Sequence, residues 1–175
     1  VTHISAAMGA IVWMVIEWIR FGKPSLVGIV TGMVAGLATV TPASGYIGVL
    51  GGLILGLSGG IICYFSVDLI RSKFKIDDSL DVFAVHGVGG ILGTLMVSFL
   101  ALETFSGAGL ADDMSVNSQF LAQLFGVVLT VVWTLIFTYV ALKITSLFTS
   151  LRVDEQEEIE GLDLRSHGER AYYND

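Results

Sequence analysis

The stretch that decides the fold is residues 24–67, PSLVGIVTGMVAGLATVTPASGYIGVLGGLILGLSGGIICYFSV, which contains no Asp, Glu, Lys or Arg. A helix crosses a bilayer with about 20 apolar residues, so this stretch is long enough for two crossings. The segment TPASG at residues 41–45 interrupts it, because proline and glycine mark turns. The sequence therefore predicts two membrane-spanning helices joined by a short turn.

The composition of the whole chain is typical of a membrane protein. Of its 175 residues, 54% are hydrophobic and 14% are charged, whereas soluble domains carry about 25% charged residues. Disordered chains are polar, and a disulfide scaffold needs more than the single cysteine, Cys63. A net charge of −7 argues against a nucleic-acid partner. The expected fold class is all-α, a polytopic transmembrane helix bundle.

Charge-free runs predict five membrane spans. Their approximate bounds are residues 3–20, 25–42, 47–68, 80–102 and 117–149. Residues 1–150 are thus expected to form the transmembrane bundle. Residues 151–175, which are rich in acids, are expected to form a cytoplasmic regulatory tail.

The lysines and arginines predict the orientation, because they concentrate in cytoplasmic loops. They lie between spans one and two, between spans three and four, and from the later part of span five onward: Arg20, Lys23, Arg71, Lys73, Lys75, Lys143, Arg152, Arg165 and Arg170. The loops 43–46 and 103–116 contain none of them. The C-terminus is therefore expected in the cytoplasm, and the N-terminal end outside.

Glycines recur at every fourth residue in three of the predicted spans. The set is Gly28, Gly32, Gly36, Gly48, Gly52, Gly56, Gly60, Gly89 and Gly93. Helices in lipid associate through close backbone approach, which small residues four apart permit. The pattern predicts tight helix packing, and it indicates a bundle rather than a reaction site.

His86 stands out among the polar residues because it lies well inside the fourth predicted span. Ionisable residues within membrane spans are rare, and they tend to face a cavity or a partner. A neutral imidazole both donates and accepts a hydrogen bond, so it can pass a proton or hold a small polar solute. The alternative is a structural histidine, bonded to a neighbouring backbone group or hydroxyl.

Three acids, Asp77, Asp78 and Asp81, begin the fourth span. Acids at a helix N-terminus cap free N–H groups and interact favourably with the helix dipole. We expect that structural role for all three.

A serine motif offers a rival site. Residues 56–60 match Gly-x-Ser-x-Gly, and Ser58 could pair with His86 as the dyad of an intramembrane serine protease. That motif requires a strand–turn–helix setting, which an apolar span lacks. Glycine packing already explains the small residues, so the protease is the remote alternative.

Three motifs lie in order along the chain. They are TVTPASGYIG at residues 39–48, DDSLDVFAVHGVGG at residues 77–90, and EGLD with SHGERAY at residues 160–163 and 166–172. Together they resemble the ammonium transporter (Amt/Mep/Rh) family, and most of all its Amt branch. The resemblance covers the whole chain but only the C-terminal five of the family's roughly eleven helices. With a start at Val1 inside an apolar run, it implies a fragment with further sequence upstream.

The resemblance implies a homotrimer with one narrow apolar pore in each subunit. His86 matches the second of two mid-pore histidines, Val82 and Thr41 match positions near the pore, and Asp81 matches the acid that opens this segment at the pore entrance. In the family, the tail takes part in regulation by a P-II-type protein at the cytoplasmic face. The matching tail positions are Gly161, His167, Gly168, Glu169 and Tyr172.

The resemblance also implies a function and a location. The implied function is ammonium or ammonia transport, with deprotonation of the ion and passage assisted by histidine, in a multi-pass protein of the plasma (inner) membrane. No enzyme activity, cofactor or metal site is expected. An ammonium sensor or receptor of the same fold, without flux, is the alternative.

Overall fold

The computed structural model describes residues 1–169, and all of their regular structure is helical. The α-helices are α1 (Thr2–Phe21), α2 (Leu26–Val40), α3 (Val49–Asp68), α4 (Val88–Leu100), α5 (Val116–Thr145) and α6 (Glu155–Glu160). Tighter 3-10 turns lie at Thr41–Ala43 and Glu103–Phe105, and wider π-helical turns lie at Leu69–Phe74, Phe83–Gly87 and Asp163–His167. No strand occurs within the described range, so the all-α prediction is confirmed.

Five helical segments are long and apolar enough to cross a membrane. They are Thr2–Phe21, Leu26–Ala43, Val49–Phe74, Phe83–Leu100 and Val116–Thr145. Each overlaps one of the five predicted spans, so the polytopic helical bundle is confirmed.

Two span boundaries differ from the predicted ones for identifiable reasons. The fourth span begins at Phe83 rather than residue 80, because the Asp78 carboxylate accepts hydrogen bonds from the backbone N–H groups of Val82 and Phe83 and caps the helix there. The fifth ends near Thr145 rather than residue 149. There the chain tightens, and the Phe148 N–H bonds to the Thr145 carbonyl three residues back.

The chain forms two compact units, Val1–Val128 and the residues from Leu129 onward. The first unit contains α1 to α4 and the start of α5. The second contains the rest of α5, α6 and the π-helical turn Asp163–His167. The division into a bundle of residues 1–150 and a tail of residues 151–175 stays a prediction.

Glycines of α2 bring its backbone directly against α1. A Cβ added at Gly32 would clash with the Gly9 carbonyl and the Trp13 side chain, and one at Gly36 would clash with the Ser5 carbonyl. Ser5 Oγ also donates a hydrogen bond to the Gly36 carbonyl at 2.9 Å. These contacts confirm that the glycine pattern serves helix packing.

One apolar cluster of the core connects three helices to the fourth span. It includes Trp13 of α1, Ala35 of α2, Cys63 and Tyr64 of α3, and Val85. The Trp13 and Tyr64 rings meet edge to face, with centroids 5.1 Å apart. Val85, which directly precedes His86, is thus packed within this cluster.

Candidate functional site

His86 lies in the π-helical turn Phe83–Gly87, directly before α4. The Val88 N–H bonds to the Phe83 carbonyl five residues earlier, which widens this turn relative to an α-helix. Short π-helical turns of this kind are rare and are found frequently at functional sites. Two further turns of this kind, Leu69–Phe74 and Asp163–His167, lie elsewhere in the described residues, so the turn by itself does not single out His86.

The His86 side chain is exposed on one face of this turn. It makes no hydrogen bond or ion pair with any residue from 1 to 169. Ala84 and Val85 form the opposite, packed face, and each is 1% exposed. Among residues 1–169, the imidazole is therefore not held by the backbone or hydroxyl partner that the structural alternative requires.

Val82 and Thr41, the other two predicted pore residues, lie at different levels. Val82 is one turn before His86 and is 51% exposed. Thr41 begins the turn after α2, and its hydroxyl donates to the Leu37 carbonyl at 2.6 Å. Its neighbour Pro42 lies beside Gly93, which is seven residues beyond His86, or about 10 Å along a helix. Thr41 is thus not brought beside His86, and the pore role of all three residues stays a prediction.

Two of the acids before the fourth span, Asp78 and Asp81, have different partners. Asp78 caps the span, as described above, which agrees with the expected structural role. Asp81 instead pairs with Arg71, whose Nε lies 2.7 Å from Oδ1. Burial raises the pKa of the Asp81 carboxyl above its ordinary value, and the neighbouring Arg71 charge opposes part of that rise. The predicted place of Asp81 at a pore entrance stays a prediction.

The serine of the rival site is occupied by its own helix. Ser58 Oγ donates to the Ile54 carbonyl at 2.7 Å and lies 3.4 Å from the Leu55 carbonyl. No hydrogen bond joins Ser58 to His86 in the described part of the chain. The Ser–His pair that a protease needs is therefore not formed.

The tail has a defined local structure in the second unit. Gly161 and Gly168 adopt positive φ angles of 91° and 67°, a backbone region that glycine enters at little cost. His167 lies in the intervening π-helical turn, and the Glu169 N–H bonds to the Asp163 carbonyl. Tyr172 lies outside the described residues. The regulatory role of these positions stays a prediction.

Sequence reasoning passed over two buried residues beside the site. It named Cys63 only to exclude a disulfide scaffold, and it treated Thr39 only as part of a motif. In the structure both are fully buried, and Cys63 Sγ lies 3.8 Å from the Val85 carbonyl. The signal was present in the glycine pattern, because glycines mark the places where a neighbouring side chain inserts.

Comparison with known sequences gives a consistent match over nearly the whole chain. A model of the Ammonium Transporter Family matches residues 1–172. The chain is 46% identical over 174 residues to ammonium transporter Amt1 of Archaeoglobus fulgidus. The aligned region covers 98% of this chain and 43% of that protein. It is 40% identical over 173 residues to an ammonium transporter of Bacillus subtilis, and the aligned region covers 98% of this chain and 43% of that protein. These relatives are named as transporters, not as enzymes.

Solved structures with the same fold include a sensor Amt protein and Mep2. The chain superposes on a sensor Amt protein with a TM-score of 0.83 and 27% identity, covering 95% of this chain and 40% of that one. Saccharomyces cerevisiae Mep2 matches with a TM-score of 0.75 and 31% identity, and the match covers 89% of this chain and 36% of Mep2. The chain spans less than half the length of the curated relatives cited above.

Proposed function

Because the chain belongs to the Ammonium Transporter Family, we propose that the full-length protein carries ammonium or ammonia across a membrane through a narrow apolar pore lined by His86. One observation carries the residue-level proposal: within an apolar span, the His86 side chain is exposed and bonded to no described residue. Val82 and Thr41 are proposed to line the same passage at other depths.

The energetics of ion transfer favour passage of ammonia over passage of the ion. Moving a bare ion of this size into a medium of low dielectric costs on the order of 20 kcal/mol by the Born estimate. An apolar pore therefore selects a neutral molecule from which the proton has been separated. An imidazole suits this passage because its two ring nitrogens can accept and donate hydrogen bonds and can exchange a proton.

The assembly and the orientation belong to the same proposal. We take the full-length protein to be a homotrimer of the plasma (inner) membrane, with the C-terminus in the cytoplasm. The distribution of lysine and arginine over the loops supports that orientation. A P-II-type regulatory protein is the proposed partner at the cytoplasmic face, where the tail carries Gly161, His167, Gly168, Glu169 and Tyr172.

The likeness to a sensor Amt protein favours one second candidate. With a TM-score of 0.83 over 95% of this chain, the same fold is compatible with a protein that binds ammonium and signals without conducting it. The two candidates differ in flux, so a single experiment separates them.

That experiment measures ammonium-driven current in proteoliposomes that contain the full-length protein. Wild type is expected to conduct. His86→Ala is expected to carry a current about ten-fold lower, which corresponds to the loss of one hydrogen bond to the solute. His86→Gln keeps hydrogen-bond donor and acceptor atoms but cannot relay a proton. It therefore distinguishes a role of His86 in binding the solute from a role in relaying the proton. His3→Ala, at an exposed histidine of α1, is the matched control.

Two results contradict the proposal in different ways. Tight ammonium binding by wild type without any current would favour the sensor. Undiminished current in His86→Ala, with potassium still excluded, would remove His86 from the mechanism.

A further inference from the structure

Thr39 lies at the point where α2, α3 and α4 meet. It is fully buried, and its hydroxyl donates to the Ala35 carbonyl at 2.8 Å, so its hydrogen bond is satisfied within α2. A Cβ added at Gly59 of α3 would clash with the Thr39 side chain. On α4, a Cβ at Gly89 would lie 2.9 Å from Thr39 Oγ1, and one at Gly93 would clash with the Thr39 carbonyl. Thr39 thus fills a space that glycines leave on two neighbouring helices.

The same junction holds the turn that carries His86. A Cβ at Gly89 would also lie 3.2 Å from Cys63 Sγ. Cys63 in turn contacts the Val85 carbonyl at 3.8 Å. Val85 directly precedes His86, and Gly89 follows it by three residues. Both sides of the π-helical turn are therefore packed against one buried cluster, and the imidazole projects from the opposite side.

We infer that Thr39 is a positioning residue for His86. Its β-branched side chain, which is stiff about χ1, sets the distance of α4 from α2 and α3 and thereby the place of the imidazole. Thr39 does not touch the solute in this arrangement. It acts through packing, because close-packed interiors transmit a change of volume to their neighbours. The inference rests on the proposed function, in which the position of His86 decides which solute passes.

The test compares fluxes of ammonium and the bulkier methylammonium, as a ratio, in proteoliposomes of the full-length protein. A ratio does not depend on the amount of folded protein, whereas simple destabilisation lowers both fluxes together. Gly89→Ala, which pushes against Thr39, is expected to change the ratio by about ten-fold, within the range that a one-carbon difference is worth in a fitted apolar site. Thr39→Ala combined with Gly89→Ala makes room for the added methyl group and is expected to restore the wild-type ratio.

Matched variants keep the test decisive. Gly126→Ala is the control, because a Cβ at Gly126 would meet no atom of residues 1–169 within 4 Å, and it is expected to leave the ratio unchanged. Thr39→Val keeps the branched shape and is expected to keep the ratio, whereas Thr39→Ala alone is expected to change it. These two variants decide the question if Gly89→Ala does not fold.

A second readout separates this inference from the proposed function. The imidazole 15N resonances of His86, in histidine-labelled full-length protein, are expected to shift in Gly89→Ala and return in the double variant. If wild type conducts no ammonium, the proposed function fails, but these resonances still test the positioning role. The positioning role would be overturned if Thr39→Ala left both the flux ratio and the resonances unchanged. It would also be overturned if the double variant had the same flux ratio as Gly89→Ala.

Discussion

Arg71 binds the carboxylate of Asp81 through two contacts, Nε to Oδ1 at 2.7 Å and Nη2 to Oδ2 at 2.9 Å. Nη2 also donates to the Ser79 carbonyl at 3.1 Å. Arg71 lies in the π-helical turns that follow α3, and Asp81 lies two residues before the turn that carries His86. The pair therefore ties the end of the third span to the start of the fourth.

Removing the arginine should destabilise the protein. Arg71→Ala leaves the Asp81 side chain, which is 13% exposed, without its cation, and the expected loss is about 1–2 kcal/mol of unfolding free energy. Thermal unfolding of the full-length protein in detergent measures it. Lys73→Ala, at an exposed lysine nearby, should have little effect. The double variant Arg71→Ala with Asp81→Asn should lose less than Arg71→Ala alone, and an equal loss would show that the pair is not the cause.

The stability of the protein should carry a pH dependence that comes from Asp81. Because burial raises the pKa of this carboxyl in the folded state, the folded protein holds the proton more strongly than the unfolded chain does. The contribution of Asp81 to stability is therefore greatest in acid, and it falls as the pH rises above about 4 and through the raised pKa. Asp81→Asn lacks this titration. The unfolding temperature of wild type minus that of Asp81→Asn should thus decrease from acid toward neutral pH. An increase of this quantity over the same range would contradict the predicted sign.

The glycine contact between α1 and α2 should not accept a methyl group. Gly36→Ala places a Cβ against the Ser5 backbone carbonyl, and such overpacking typically costs about 1–3 kcal/mol. Unfolding temperature, together with the elution volume on size exclusion, is the measurement. Gly126→Ala meets no atom of the described residues within 4 Å of its Cβ and should be neutral or slightly stabilising, because alanine favours the helix. Equal effects of the two substitutions would mean that helix propensity, not packing, governs these positions.

Ser58 should be dispensable for chemistry. Its hydroxyl already donates to the Ile54 carbonyl, so Ser58→Ala should leave ammonium current at the wild-type level. A fluorophosphonate probe, which labels activated serines, should not modify Ser58. Labelling at Ser58 that disappears in His86→Ala would revive the protease alternative.

The five spans were predictable because their signal is local. A bilayer demands about 20 apolar residues in a helix, and the charged residues between such runs are visible without coordinates. The position of His86 inside the fourth span was predictable for the same reason. The start of that span was placed too early, because residues 77–81 look like a helix start and only the Asp78 contacts show where the first helical N–H groups are capped.

The amino-acid sequence by itself determined the helical class, the spacing of the glycines and the presence of one histidine in an apolar run, since each depends on residues close together in the chain. Only the tertiary structure decided that Asp81 pairs with Arg71, that Ser58 does not pair with His86, and that Thr39 fills the space left by Gly59 and Gly89. These outcomes depend on which faces of separate helices meet. Depth and rotation of packed helices are set by side-chain volumes on both partners at once, which no single segment contains.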